Sequence, residues 1–304
     1  MTTSLAPAAD EVRRFMVENR PVRGHWVHLT GAWRELRAHR DYPEPVRELL
    51  GQAVAASVLL AATLKFRGQL TLQMQGNGAV RLLVAQCTHD YKLRAVAQFD
   101  EAAFGDSSVQ TFRRMVGTEG RVTVTVEANE HGTRYQGIVP LTGESLAESL
   151  ETYFAASEQL PTRVLLAADG ERGAGMLVQQ LPQRTTEESE VREVWDQAQR
   201  AIERLSPAEL LECPVEELLG RGFRDQDLRL FGGAPVAFEC RCSDGRITSL
   251  LRALGEREVR SILEEQGAVT VTCEFCHRPY RFEAEAVAAL FADEQAPGAS
   301  PLIQ

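Results

Sequence analysis

Two close cysteine pairs, Cys240-Arg241-Cys242 and Cys273-Glu274-Phe275-Cys276, constrain this chain more than any other feature. They hold four of its six cysteines and lie 30 residues apart in its last quarter. Thiols at x1 or x2 spacing let two sulfurs converge on one point from a tight turn. Two such pairs build the tetrahedral four-sulfur cage that Zn²⁺ prefers, with Zn–S distances of about 2.3 Å. A soft four-thiolate site selects zinc or an iron–sulfur centre. A closed shell leaves no open coordination position, which argues against metal catalysis and for a structural or redox-sensitive site.

The rest of the composition narrows the setting. At 304 residues the chain is long enough for two domains, or one large domain with an appendage. A formal net charge of −10 argues against a general binder of nucleic acid or anionic membrane. The stretch Met1 to Pro7 has neither a basic start nor an apolar core, so no secretory signal is read there. The uncharged run from Leu49 to Leu64 is diluted by Gly51, Gln52, Ser57 and Thr63 and reads as a buried helix rather than a membrane span. The cytoplasm is the expected location, where paired cysteines hold metal or respond to oxidants more often than they form permanent disulfides. Cys87 and Cys213 stand alone and read as small buried apolar residues.

Periodicity predicts an α+β fold, an antiparallel sheet with packed helices. Val22 to Leu29 reads as a strand, with Trp26 and His28 on one face and His25 and Val27 on the other. A helix is predicted from Pro45 to Leu64. Leu70 to Met74 and Val80 to Val84 flank a Gly76-Asn77-Gly78 turn as a hairpin. Further strands are expected at Leu93–Phe99, Arg121–Val126, Tyr135–Leu141, Arg163–Ala168 and Gly175–Leu181. A loop is expected at Asn129–Gly132 and a helix over Glu144–Ser157. Gly170 to Gly175 lies between two strands without phosphate-loop spacing and reads as a turn. Nucleophile-elbow, His-Glu-x-x-His and Walker patterns are all missing from the sequence, so no enzyme activity is predicted.

Three parts follow: a core domain over 1–182, an acidic helical linker over 183–232, and a small four-cysteine zinc domain over 233–304. The linker carries 12 acidic against 7 basic residues. Val191, Val194, Ala198, Ile202 and Leu205 keep helical spacing, with Trp195 at the edge of the stripe. Two shorter helices are expected after Pro207 and at Val215–Leu219. Taken alone, the segment reads as a solvated linker. The functional alternative is a metastable segment ordered only by docking, because helices this short are marginal in water. In the last part, helices are expected at Ile247–Leu254, Glu256–Glu265 and Glu283–Phe291, with strand arms Val269–Thr272 and Tyr280–Phe282. The tail Ala296 to Pro301 reads as disordered.

Other chemistries for the thiols fit less well. Cys273 to His277 matches C-x-x-C-H, the c-type haem attachment sequence, but that reading needs export and leaves Cys240 and Cys242 without a role. His277 could replace one sulfur, yet four thiols already complete the shell. A thioredoxin-like pair would need a βαβ context. The alternative function is an acidic zinc-ribbon interaction module binding protein or RNA. From Gly232 onward the chain has 7 Arg, no Lys and 11 acidic residues, a balance that repels phosphate. Structural zinc contributes an apparent ~10–16 kcal/mol in small peptides, against ~5–15 kcal/mol for a whole domain. Losing it should unfold a module of this size. Zinc-bound sulfurs are thiolates, the form oxidants attack. Physics therefore permits an oxidant-triggered unfolding switch.

The chain resembles the heat shock protein 33 family of redox-regulated bacterial holdase chaperones. The resemblance rests on Tyr42-Pro43-Glu44-Pro45-Val46, Ala62-Thr63-Leu64-Lys65-Phe66, Gln73-Met74-Gln75-Gly76-Asn77-Gly78 and Arg134-Tyr135-Gln136-Gly137. It continues through Tyr153-Phe154 and Ser157-Glu158-Gln159-Leu160-Pro161-Thr162-Arg163 to the two cysteine pairs. The resemblance implies one Zn²⁺ per reduced, inactive chain, held by Cys240, Cys242, Cys273 and Cys276. It implies that oxidation forms Cys240–Cys242 and Cys273–Cys276 disulfides, expels zinc, unfolds the zinc domain and destabilises the linker. Apolar surface then opens to unfolding client proteins without ATP. It further implies a monomer when reduced and a homodimer when oxidised; the acidic charge balance, for its part, predicts no nucleic-acid or membrane partner. No family role attaches to Cys213.

Overall fold

Alternating apolar and polar residues, punctuated by glycine-led turns, build two antiparallel sheets with one apolar helix between them. The computed structural model describes residues 10–104, 111–128, 134–182 and 188–292. The expected loop at Asn129–Gly132, the stretch Met1 to Pro7 and the tail from Ala296 to Pro301 lie outside the described residues. Two compact units are present, residues 1–239 and residues 240–304.

The first unit opens with β1 (Glu11–Val17), β2 (Val22–Leu29), α1 (Gly31–Arg37) and α2 (Glu44–Thr63). A meander follows: β3 (Gly68–Gln75), β4 (Val80–Thr88) and β5 (Lys92–Phe99). After α3 (Phe112–Val116) come β6 (Arg121–Ala128), β7 (Arg134–Pro140), α4 (Leu146–Tyr153), β8 (Thr162–Ala168) and β9 (Gly173–Gln180). Three helices, α5 (Glu188–Glu203), α6 (Pro207–Glu212) and α7 (Val215–Gly222), precede short strands β10 (Leu228–Leu230), β11 (Ala234–Pro235) and β12 (Ala237–Phe238). One sheet runs β10-β1-β2-β9-β8, with β11 also pairing β1; the other runs β12-β5-β4-β3-β6-β7. All pairings are antiparallel except β12 on β5. The α+β class is as expected from the sequence.

Helix α2 is the core of the unit. Pro45 sits in its first turn, and residues from Leu49 to Ala61 are buried almost without interruption. It contacts β2, β8 and β9 of one sheet and β3, β4 and β5 of the other. Its length and apolarity would suit a membrane, but 72% of that stretch is buried inside the unit. Gly51 permits the close approach: a Cβ there would lie 2.5 Å from the Ala168 Cβ. The helix expected to run to Ser157 instead ends at Tyr153 and widens into a π-turn over Phe154–Glu158, closed by Gln159 in the left-handed region.

The linker segment departs from the solvated reading. The stripe of α5 is buried, and α5–α7 lie on β1, β2, β8 and β9 in a second hydrophobic cluster, separate from that around α2. Beyond them, β10 and β11 extend one sheet and β12 the other, so the compact unit continues to Glu239.

The second unit holds α8 (Asp244–Leu254), α9 (Glu256–Gln266), β13 (Val269–Thr272), β14 (Pro279–Phe282) and α10 (Ala284–Ala292). Strands β13 and β14 form a hairpin. Ile247, Leu251, Val259, Val269, Tyr280, Val287, Leu290 and Phe291 pack around Cys273 into a core of their own.

Candidate metal centre and a helix-covered sheet face

The second unit brings all four predicted thiols together. Cys240 and Cys242 precede α8, whose N-cap Ser243 accepts from the Arg246 amide. Cys273 and Cys276 lie on the turn of the β13–β14 hairpin. There the Cys273 amide donates to Arg278 O at 3.0 Å and the His277 amide to Cys273 O at 2.8 Å. His277 takes a left-handed φ of 51° to close the turn.

The sulfur atoms all lie within 4.8 Å of one another. Cys240 to Cys242 is 3.4 Å, Cys240 to Cys273 is 3.6 Å and Cys242 to Cys276 is 3.4 Å. A zinc tetrahedron with ~2.3 Å bonds has sulfurs about 3.8 Å apart, so the donor set fits a single ion of that class. His277 is not among the converging ligands. Burial opposes ionisation of Cys242, but the hydrogen-bonding groups around it, the other three thiols among them, bring its pKa to about 7. Cys240 and Cys276 are pushed up, burial being the largest cause. Four sulfurs this close cannot all be anionic without a cation between them. No disulfide joins any of the six cysteines.

The remaining two cysteines differ from one another. Cys87 is fully buried, as expected, and burial raises its pKa. Cys213 is only half-buried. It caps the C-terminus of α6 and packs at the margin of the linker cluster.

The second notable feature is the sheet face under α5–α7. Alternation places Phe15 and Val17 of β1, Val22 and Trp26 of β2, Ala174, Met176 and Val178 of β9, and Ala167 of β8 on it. Val194, Ala198, Ala201 and Ile202 of α5, Leu205, Leu210 of α6, Val215, Leu218 and Leu219 of α7, and Phe223 cover them. The tip of the Phe15 ring reaches Gly24, where a Cβ would come within 2.1 Å of it, and the ring meets that of Phe223 edge-on at 5.5 Å. His25 and Val27 turn to the opposite face, as the alternation predicts.

Polar contacts pin the helices at the edges. His28 Nε2 lies 3.0 Å from Leu211 O, and Arg172 Nη1 donates to the same carbonyl at 3.3 Å. That oxygen belongs to the last turn of α6, where carbonyls have no intrahelical partner. Arg13 pairs with Glu216 at 2.7 Å, Arg163 with Glu203 at 3.6 Å and Arg172 with Glu212 at 4.0 Å. The acidic excess of the segment thus has a structural counterpart in arginines of the sheet. Sequence reasoning missed these arginines because their partners lie far along the chain. The Arg163 within Ser-Glu-Gln-Leu-Pro-Thr-Arg was visible only as a motif residue.

A mixed α+β unit whose apolar sheet face is roofed by its own acidic helices, followed by a small module closed by four thiols, defines a distinct class of two-unit protein. The chain belongs to the Hsp33 family: the model for the Hsp33 protein matches residues 10–283. The 33 kDa chaperonin of Nitrosococcus oceani is 42% identical over 285 residues, 94% of this chain and 95% of that protein. The 33 kDa chaperonin of Pseudomonas paraeruginosa is 42% identical over 294 residues, 96% of this chain and 98% of that one. The solved 33 kDa chaperonin (heat shock protein 33 homolog) of Thermotoga maritima shares the fold, with a TM-score of 0.78 at 24% identity. That match covers 94% of this chain and 99% of the other.

Proposed function

We propose that this chain is a redox-regulated, ATP-independent holdase chaperone of the cytoplasm, inactive when reduced and opened by oxidation of its four-thiol centre. The observation that carries the reading is the convergence of the four sulfurs within 4.8 Å. It is supported by the apolar sheet face roofed by α5–α7 and by the chaperonin name of the relatives. Cys240, Cys242, Cys273 and Cys276 would hold one Zn²⁺. Bound zinc keeps all four sulfurs as thiolates and ties the two cysteine pairs together.

An oxidant such as hypochlorite or peroxide takes two electrons for each disulfide formed, while two thiol groups give up their protons or their metal bonds. The pairing Cys240–Cys242 and Cys273–Cys276 is the one the family resemblance implies. The Cys242–Cys276 separation equals that of Cys240–Cys242, so peptide mapping of the oxidised protein is the arbiter. Loss of the ligand set removes the largest single contribution to the second unit's stability.

The linker is exposed to that loss through the chain itself. Cys240 follows directly on Glu239, whose amide donates to Leu93 O at 2.9 Å beside the two-residue strand β12. Few backbone hydrogen bonds hold β10, β11 and β12, so they are first to fray. Once they release, α5–α7 have little intrinsic stability to keep them in place. Residues 183–232 then act as the releasable linker between a core of 1–182 and a switch domain of 233–304. The freed face holds unfolding clients, and two oxidised chains associate as a dimer.

The test couples zinc release, followed with a chelating dye, to light scattering of a heat-unfolded client during peroxide and heat treatment. One zinc should leave per chain, and aggregation should be suppressed only afterwards. Zinc that stays bound under hypochlorite, or a reduced protein that is already fully active, would overturn the switch. Tight, salt-sensitive RNA binding by the reduced protein would favour an acidic zinc-ribbon module instead.

A further inference from the structure

The face under α5–α7 is more than an apolar strip, because its edges carry a particular charge. Arg13 is inward-facing on β1, in step with Phe15 and Val17. Arg163 shares a face of β8 with Leu165 and Ala167, and Arg172 sits in the β8–β9 turn. Each meets a glutamate from a different helix of the cover: Glu216 of α7, Glu203 of α5 and Glu212 of α6. One pair runs the other way, Arg229 of β10 to Glu18 at 2.6 Å, and it lies at the sheet's edge strand rather than under the helices.

We propose that this face, once uncovered, selects acidic amphipathic helical segments that resemble the chain's own α5–α7. The proposal rests on the holdase reading and adds the class of client. The cover fits by two complementarities at once. Its apolar stripe fills the strip between Phe15 and Met176, and its glutamates meet the arginines around it.

Two of the three arginines, Arg163 and Arg172, are placed in advance, whereas Arg13 is held by Phe231 of the releasing segment. Arg163 Nη1 donates to Glu151 Oε2 at 2.8 Å, while its Nη2 faces Glu203. Arg172 Nε and Nη2 donate to Asp169 Oδ2 at 3.2 and 3.0 Å, and Nη1 reaches Leu211 O. Arg13 Nε donates to Phe231 O at 3.2 Å. Glu151 and Asp169 belong to the core, so Arg163 and Arg172 stay oriented when the helices leave. A guanidinium has five donors in a fixed fork, so one held this way still offers an arm to an incoming carboxylate. His28 beside Arg172 adds a donor for a helix C-terminal carbonyl, the role both now play toward Leu211. The preference runs against the protein's overall charge of −10, which by itself would favour basic partners.

The test uses the full-length oxidised protein and two labelled amphipathic peptides with the same leucine and alanine face. One carries glutamate on its polar face and the other lysine. Fluorescence anisotropy should give about tenfold tighter binding of the glutamate peptide, the size expected of three part-exposed ion pairs. Added salt should erode that preference. The R13Q/R163Q/R172Q variant should bring the ratio close to one. If that variant does not fold, the salt dependence of the wild-type ratio still decides. Equal binding, or tighter binding of the lysine peptide, overturns the proposal. A ratio that survives the triple substitution overturns the assignment to these arginines. Suppressed client aggregation with neither peptide bound places the client surface elsewhere and leaves the holdase reading intact. Absence of both activities after zinc release removes the two together.

Discussion

Replacing Phe223 by alanine should separate linker release from metal release. The Phe223 side chain is 2% exposed and closes α7 against the fully buried Phe15 ring, edge-on at 5.5 Å. Removing a buried phenylalanine costs about 3–5 kcal/mol, including roughly 0.5–1.5 kcal/mol for the lost aromatic pair. Here the loss falls on the docking of α5–α7, because Phe15 remains in a sheet held by its strand neighbours. Every 1.4 kcal/mol is tenfold, so the docked-to-undocked ratio should fall by roughly two to three and a half powers of ten. Helices of six and eight residues cannot absorb that from their own stability. The reduced F223A protein, its four-thiol centre intact, should therefore lose hydrogen-exchange protection across 188–223. Trp195 packs on the linker cluster and Trp26 lies beneath it, so fluorescence should shift to the red. Client aggregation should be suppressed without oxidant. Wild-type protection in the variant would refute the assigned docking energy. Lost protection without chaperone activity would refute the covered face as the client surface.

Other perturbations probe separate parts of the molecule. Cys273→Ser removes the most buried of the four converging thiols and, under the proposed zinc site, should abolish stoichiometric zinc binding, with loss of far-ultraviolet dichroism from the second unit alone. Ser206→Ala breaks the capping box in which Ser206 and Glu209 satisfy each other's backbone, costing about 1 kcal/mol and speeding exchange over 207–223 without altering zinc content. Gly24→Ala puts a methyl into the Phe15 ring and should lower first-unit stability by about 1–3 kcal/mol, read by urea melts. Burial, with Arg23 and Arg14 adding to it, depresses the His25 pKa from 6.5 to about 3. The unfolded chain then binds a proton between pH 6.5 and 3 that the folded chain refuses. This contribution is whole above pH 6.5 and drains away as pH falls toward 3, by up to about 5 kcal/mol. His25→Leu should flatten that part of the pH–stability curve.

Much of this was written in local pattern. The hairpin of β3 and β4 was marked by Gly76 and Gly78, α2 by Pro45 and its unbroken apolar run, and the thiol site by spacing alone. What escaped depends on distant partners. Strand β1 reads poorly because Arg13 occupies an inward position, tolerable only opposite Glu216. Helix α1 lacks a local cap: Asp10, twenty residues earlier, accepts from the Thr30 and Ala32 amides. Strands β10 to β12 are two or three residues long and exist only because sheet edges await them. The same holds for the linker. Its stripe was plain, but a stripe does not say what it rests on, and the solvated reading failed because its apolar counterpart lies mostly on β1, β2 and β9.

The pairing of β1 with β10 has a consequence for biosynthesis. Arg13 waits for Phe231, 218 residues later in the chain. At about 5–20 residues per second a ribosome needs roughly ten to forty seconds to supply that partner. Until α5–α7 have followed, late in that interval, Phe15 and Trp26 have no roof, and the nascent chain carries them uncovered. Long-range closure is also slow to re-form. Under the proposed switch, covering the face again after re-reduction needs the same long-range contacts, so client release should lag behind the return of the thiols.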